Sequence, residues 1–403
     1  MMATSFLKNV ARLCPVCDST RGEVLHTQRF VLPEGHPLAA GYDVVGCPQC
    51  GFAYADTAAG QREYDEFYAR LSKYTDNKTS TGGGLAAWDA DRLRHTAQDI
   101  ARVIPRRDSH IVDIGCANGG LLQSLRDLGY SNLCGIDPAP ACVAQAAQVS
   151  GAVTYSGSLS NIPAEAGVFD VIILSHVLEH VKDLRPALEG LEPFLKPNAS
   201  LYVETPDASR YAEFVFAPFQ DFNTEHINHF SVAGMTNLLH CCGFAPFESG
   251  TKDILSAPDM PYPALFAFAR RISGSPVIAS KDVELKSRLL EYIALSQQVM
   301  DEIEARLKTV LAQDLEVIVW GTGQLAMKLL AETSLAQARI EAFVDGNPLY
   351  HGQRLQGIPI VAPEEIGASN HPILVTSILH HRAIAEKIRQ LHLPNPIIAL
   401  RTI

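Results

Sequence analysis

Between His110 and Asp137 the hydrophobic pattern changes period twice. Ile111 to Ile114 is a short apolar run of the length of a buried strand. Gly115, Gly119 and Gly120 punctuate a turn. Leu121, Leu122, Leu125 and Leu128 then recur at helical spacing, and Gly129 stops them. Leu133 to Ile136 reads as a second strand, ending in Asp137. Alternation of this kind continues over residues 108 to 272. It predicts a helix from about Asp89 to Val103 before it, a helix near Ala141 to Gln148 and a strand Val153 to Tyr155. Val168 to Leu174 is apolar enough for a central parallel strand. A helix to Leu195, a turn at Lys196 to Asn198, and a strand Ser200 to Glu204 follow. A helix near Val232 to Cys242 and strands near Ala245 to Ser249 and Ala264 to Arg270 complete seven strands. Residues 281 to 312 read as one long helix, with Leu285, Leu289, Ile293, Val299, Ile303 and Leu307 in register. Residues 315 to 403 begin the pattern again, with a strand at Val317 to Trp320 and another at Ile340 to Val344, ending in Asp345.

The strand, glycine loop, helix, strand and acid of residues 110 to 137 form half of a nucleotide-binding α/β unit. Glycines let backbone approach a ligand where a side chain would collide. The acid at the second strand's tip can accept both hydroxyls of a ribose. The later Gly321-Thr-Gly323-Gln324-Leu-Ala326 turn has the spacing of a dinucleotide fingerprint. A second cofactor there competes with a bare Rossmann-like fold, or with a loop that recognises a nucleotide.

Composition narrows the field. The 403 residues are 47% hydrophobic and 19% charged, enough for two or three globular domains. A net charge of −11 excludes a basic nucleic-acid footprint. No apolar run reaches the length of a membrane span, and the N-terminal residues lack the core of a signal peptide. A cytoplasmic protein with a small-molecule substrate is expected, its oligomeric state open.

Four of the nine cysteines form twin pairs, Cys14-Pro-Val-Cys17 and Cys47-Pro-Gln-Cys50. Two such knuckles complete a tetrahedral zinc site, despite a 29-residue gap between them. A small head with little core would draw folding free energy from that ion. With all four positions filled by thiolate, the zinc would be structural. A redox dithiol is the rival for either pair alone. Cys116, Cys134, Cys142, Cys241 and Cys242 read as buried thiols. Between head and core, Tyr64, Phe67, Tyr68, Ser72, Tyr74, Thr79 and Trp88 surround a glycine loop, Ser80 to Gly84, which suits a lid or a linker equally.

The loop Asp113-Ile-Gly115-Cys116-Ala117-Asn-Gly119-Gly resembles motif I of class I S-adenosylmethionine (SAM) methyltransferases, and FDVIILSHVLEHVKDL…LKP…LYVETP resembles their later motifs. The resemblance implies cofactor contacts from Asp113, Gly115, Cys116, Ala117 and Gly119. Asp137, Pro138, Ser158, Leu159, Ser175 and His176 follow by the same matching. With its double-cysteine head and α/β tail, the chain is similar to three-part methyltransferases of nucleotide-linked sugars, known for C-methylating deoxy-keto-sugars. That implies a zinc head at 1–70, a seven-stranded methyltransferase sheet at 71–275, and a long helix with a second Rossmann-like domain at 276–403. Glu225-His226-Ile-Asn-His229-Phe-Ser resembles the family's Glu-His-x-x-Tyr-Phe-Ser, implying Glu225 and His226 at the reaction centre, with His180 as a second histidine. Two family tyrosines are Asn223 and His229 here. They are expected to contact substrate, as are Gly321, Gly323 and Gln324, which could cradle the acceptor's phosphates at a helix N-terminus.

The chemistry sets its own demands. Carbon beside a carbonyl must lose a proton before it can attack a methyl group, which takes a base of near-neutral pKa and a donor for the enolate oxygen. Histidine suits the base. Neighbouring side chains on an extended segment point apart, so Glu225 is not expected to orient His226. O- or N-methylation of another metabolite, and a nucleotide-binding module with an inactive core, are the alternatives to methylation of a sugar carbon.

Overall fold

The computed structural model describes residues 6–71, 83–272, 280–312, 315–367 and 369–401. Most of the Ser80 to Gly84 loop, and Ser72, Tyr74 and Thr79, lie outside these.

Four antiparallel strands open the chain: β1 (Phe6–Asn9), β2 (Arg21–Arg29), β3 (Gly41–Gly46) and β4 (Ala53–Asp56). Side chains alternate across a strand, and here both faces are covered. Val24, Val45 and Tyr54 enter one core, while Leu25, Val44, Ala53 and Ala55 enter another. Helices α1 (Gln61–Arg70) and α2 (Ala87–Val103) lead into the central sheet.

That sheet is built from β5 (Ile111–Ile114), α3 (Gly120–Asp127), β6 (Leu133–Asp137), α4 (Pro140–Ser150), β7 (Val153–Ser156), β8 (Phe169–Ser175), α5 (Leu184–Glu189) and β9 (Leu195–Pro206). The chain then makes a two-residue strand, β10 (Asn228–His229), before α6 (Val232–Cys241) and the hairpin β11 (Phe244–Ala257) and β12 (Met260–Arg271). Strand order is β11-β12-β9-β8-β5-β6-β7. All neighbours are parallel except β12, which runs against both β9 and β11. This mixed seven-stranded sheet is the class I methyltransferase arrangement anticipated from the sequence.

Three details differ from the sequence reading. The helix expected to reach Leu195 ends at Glu189, and a short 3-10 turn over Glu192–Phe194 carries the chain into β9. The hairpin arms are much longer than the apolar stretches suggested: β11 alternates half-buried with exposed residues, and β12 begins with Met260-Pro261-Tyr262-Pro263. Pro261 and Pro263 are tolerated there because β12 meets β9 only from Ala264 onward, leaving one backbone edge free of ladder bonds. And β10 does not belong to the central sheet: it pairs with β4, closing the N-terminal sheet as β1-β2-β3-β4-β10. The expected head at 1–70 therefore borrows its last strand from a segment more than 150 residues away.

Helix α7 (Leu285–Leu311) buries Leu285, Leu289, Tyr292, Val299, Ile303 and Leu307 along one face. Asp282 caps it, its Oδ1 accepting from the amides of Glu284 and Leu285. The tail comprises β13 (Glu316–Trp320), α8 (Gln324–Glu332), β14 (Arg339–Val344), β15 (Arg354–Leu355), β16 (Ile358–Val361), β17 (Ile373–Val375), α9 (His381–Gln390) and β18 (Ile397–Ala399). Its sheet order is β15-β16-β14-β13-β17-β18, parallel except for β15. Among the described residues no helix is long and apolar enough to cross a membrane.

Candidate active site

The carboxyl end of β5 turns sharply. Gly115 and Cys116 both donate their amides to the Ile136 carbonyl, at 2.7 and 3.1 Å. Gly115 has φ +79°, and a Cβ there would sit 2.7 Å from Val177. Ala117, at φ +45°, donates its amide to Asp137 Oδ2 at 2.9 Å. Asp137 Oδ1 accepts from the Ala139 amide, also at 2.9 Å. Two backbone donors and the Cys142 thiol thus fix the carboxylate. Burial pushes Asp137 up to about 6, against the pull of those amides. Asp113, also buried, is pushed up to about 7 by burial and by the charge of Asp137.

This loop forms one wall of a cavity of about 350 Å³. Asp113, Gly115, Cys116, Ala117, Asp137, Pro138, Ser158, Leu159, Ser175 and His176 all line it. Gly119 does not. Its φ is +83° and a Cβ would lie 2.6 Å from the Ala146 Cα, so this glycine lets α3 pack on α4 rather than meeting a ligand. Cys116 adds little besides backbone, since its sulfur turns toward Gly135.

The histidines line the same cavity. His176 follows β8 at φ +55° and lies between two buried carboxylates, with Nδ1 3.1 Å from Glu179 Oε1 and Nε2 3.2 Å from Glu204 Oε1. Burial opposes the imidazolium, but the two glutamates win and raise the group to about 9. Glu204 is held well below the usual carboxylate range despite its burial, by Lys252 (2.5 Å) and His176.

His180 donates Nδ1–H to the Glu225 carbonyl at 3.1 Å, because a carbonyl can only accept. Its Nε2 lies 3.9 Å from Glu179 Oε1. The His226 ring stands edge-on to the His180 ring, centroids 5.0 Å apart. Both histidines line the cavity, as do Tyr68, Glu179 and Tyr262. One ligand atom each from Glu179, His180 and His226 lies within 4.8 Å of the others, a spacing that could also hold a cation. Glu179 was not anticipated. Its signal was in plain view, three residues after His176 and next to His180.

Other expected residues sit elsewhere. The Glu225 side chain does not line the cavity; its carboxylate lies 3.5 Å from the Tyr68 hydroxyl, and its contribution to the histidine pair comes through its carbonyl. Asn223 Oδ1 accepts from the amides of Glu225 and His226, both at 2.8 Å, and so shapes the turn that presents His226. His229, expected at the substrate, is wholly buried on β10 against Phe222 and Tyr211, and burial pushes it down to about 3. Strand pairing with β4 explains this, since it turns that side chain into the core.

A second cavity of about 650 Å³ opens at the tail loop, where Gly321, Gly323, Gln324 and Asn223 meet. Gln324 is already engaged, however. Its amide donates to Thr224 Oγ1 at 2.7 Å and its oxygen accepts from the Thr224 amide at 3.2 Å. The tail loop thus clasps the residue just before Glu225-His226.

The four paired cysteines converge. All four sulfurs lie within 4.8 Å of one another, with Cys14–Cys50 and Cys17–Cys47 at 3.5 Å. A tetrahedron with metal–sulfur bonds of about 2.3 Å has edges of roughly 3.8 Å, so the set fits an ion such as zinc.

Residues 61–249 match a family model described as "Methyltransferase domain", and residues 313–398 match one described as "C2185-like, N-terminal". A ubiquinone biosynthesis O-methyltransferase from Methylobacterium nodulans is 33% identical over 117 residues, covering 28% of this chain and 47% of that protein. The C-methyltransferase NovU from Streptomyces niveus is 23% identical over 269 residues, 63% of each chain. The chain thus spans about half to two thirds of the length of these curated relatives. The solved magnesium protoporphyrin IX methyltransferase from Synechocystis, with bound S-adenosylhomocysteine, aligns over 53% of this chain and 100% of its own, at 14% identity and a TM-score of 0.41. Sheet order and the glycine loop with its acid agree with the family match: residues 61–249 of this chain form a methyltransferase domain.

Proposed function

We propose that the protein is a SAM-dependent methyltransferase that methylates carbon on a nucleotide-linked keto- or deoxy-sugar. The observation that carries the reading is the shared cavity, lined by the cofactor loop and by His180 and His226. Bound SAM would supply a methyl group already activated on a sulfonium. Asp137 would accept the ribose hydroxyls. His226 takes the proton from carbon beside the acceptor's carbonyl, and the carbon's electron pair is then free to attack the methyl. His180 steadies the acceptor oxygen or serves as the second base. Gly321 and Gly323, with open space over Gly323, would receive the acceptor's phosphates in the second cavity. The likeness to NovU extends well beyond the methyltransferase core, whereas the likeness to the O-methyltransferase stays within 117 residues. This favours carbon over oxygen.

The test is product NMR after incubation with SAM and a panel of nucleoside-diphosphate-linked keto-deoxy sugars. A base contributes about 10²–10⁴ in rate, so His226→Asn should lose that much turnover and keep SAM binding. Solvent deuterium should enter the acceptor beside its carbonyl in wild type alone. Methyl transfer without exchange would move the reaction to oxygen or nitrogen.

The same reading places one structural zinc on Cys14, Cys17, Cys47 and Cys50. Elemental analysis should find one equivalent per chain, and a metal-free protein that melts like the loaded one would refute it.

A further inference from the structure

Arg12 lies two residues before the first cysteine knuckle, far in sequence from either histidine, yet its guanidinium is buried between the two segments that carry them. One nitrogen donates to the carbonyls of Ile227 (3.0 Å) and Ala55 (3.3 Å). Another donates to the carbonyls of Lys182 (2.5 Å) and Val181 (3.4 Å) and to Asn228 Oδ1 (2.8 Å). Asn228 completes the lacing, its Nδ2 donating to Leu178 at 2.8 Å and to Val181 at 2.7 Å. The Ile227 amide reaches the Glu179 carbonyl at 2.8 Å. His180 therefore sits inside one laced segment, and His226 immediately precedes the other.

A buried charge surrounded by carbonyls is costly where a neutral residue could fill the volume. What a guanidinium offers instead is a rigid fork of donors that fixes several acceptors at once. Ala55 and the 227–228 segment are joined through the β4–β10 pairing, but no regular ladder joins either to the 181–182 segment that precedes α5. The Arg12 backbone is itself anchored, its amide donating to Asp56 Oδ1 at 2.8 Å. We infer that Arg12, assisted by Asn228, is a positioning residue that sets the separation and orientation of His180 and His226 from within the N-terminal sheet. This rests on the reading of those histidines as the reacting pair. It gives the N-terminal sheet a task in the reaction: it holds one side of the reaction centre in place.

The discriminating variant is Arg12→Lys, which keeps the charge and loses the fork. Misplacement by about 1 Å can cost on the order of 10²-fold. In Arg12→Lys, turnover per folded molecule on the sugar panel should fall about that far, with S-adenosylhomocysteine affinity within twofold of wild type and metal content unchanged. The hydrogen-bonded His180 Nδ1–H signal, followed by nitrogen-15 NMR in the S-adenosylhomocysteine complex, should broaden or exchange faster. Asn228→Asp, which keeps the acceptor for Arg12 and loses both donors, should produce a smaller change in the same direction and serves if Arg12→Lys does not fold. A purely structural role predicts a lower melting temperature with an unchanged His180 signal and unchanged turnover per folded molecule, and that result overturns the inference. If His226→Asn retains full turnover, the catalytic reading fails by itself, and the His180 signal in Arg12→Lys still decides whether Arg12 orders the pair.

Discussion

The chain contains two glycine loops built to one plan, and they have been put to different uses. In each, a parallel strand ends in a glycine at positive φ, Gly115 at +79° and Gly321 at +108°. In each, a loop amide reaches the carboxylate at the tip of the next strand: Ala117 to Asp137 and Thr322 to Asp345, both at 2.9 Å. The second loop adds the Thr322 hydroxyl on the same Asp345 oxygen at 2.6 Å, and the Asn347 amide takes the other oxygen. Asp345 thus takes all three of its donors from its own turns, whereas Asp137 takes two amides and, from α4, the Cys142 thiol. The first loop is also pinned from behind, Gly119 against Ala146, whereas Gly323 faces open space. The local plan is therefore a scaffold for approaching a ligand. What it grips is decided by which lone pairs remain and by what packs behind the turn.

The contrast can be broken most forcefully at the glycines. Gly119→Val combines strain at φ +83° with a backbone clash against Ala146. Each should cost about 1–3 kcal/mol, and thermal melting should show a severe loss. Gly323→Ala, with no atom within 4 Å of its new Cβ, should stay within about 0.5 kcal/mol. Equal losses would erase the distinction.

A smaller effect separates the acids. Asp137→Ala should weaken SAM binding by about 1–3 kcal/mol in calorimetry. Asp345→Ala should leave SAM affinity unchanged, and a drop there would mean that the second loop also contacts the cofactor.

The smallest is a proton count. Burial holds Asp113 and Asp137 at about 7 and about 6, above their ordinary value. Their contribution to the stability of the free protein is greatest when they are protonated, declines as pH climbs from about 4, and levels off past about 7. A sulfonium cation placed beside them favours the ionised forms. SAM binding at pH 6 should therefore release a fraction of a proton, seen as a dependence of binding heat on buffer ionisation. At pH 8 the dependence should vanish. Proton uptake at pH 6 would reverse the assigned electrostatics.

How much of this could be read beforehand follows from how far each contact reaches along the chain. The first loop, its acid and the twin cysteine knuckles were legible because short segments define them. The seven strands of the central sheet followed from strand–helix alternation. His229 and β10 were misjudged because their fate is set by β4, far up the chain, and a two-residue strand has no period to detect. Asn223 and Gln324 were expected at a ligand, but each spends hydrogen bonds on the loop that presents His226, which no spacing rule reveals. Tyr68 was noticed only as part of an aromatic stretch; its place beside His180, ring centroids 5.3 Å apart, needs α1 brought against the turn that follows β8.

The closing of the N-terminal sheet by β10 has a consequence for how the protein is made. A ribosome delivers β1 to β4 first, and they emerge with the outer edge of β4 unpaired. Asn228 and His229, which cover Tyr54 and Ala53 along that edge, are synthesised only after most of the central sheet. At about 5–20 residues per second, that edge waits for roughly ten seconds or more, open to strands of neighbouring nascent chains. A sheet translated before the central one is thus finished after most of it. A fragment that stops before Asn228 inherits the open edge for good.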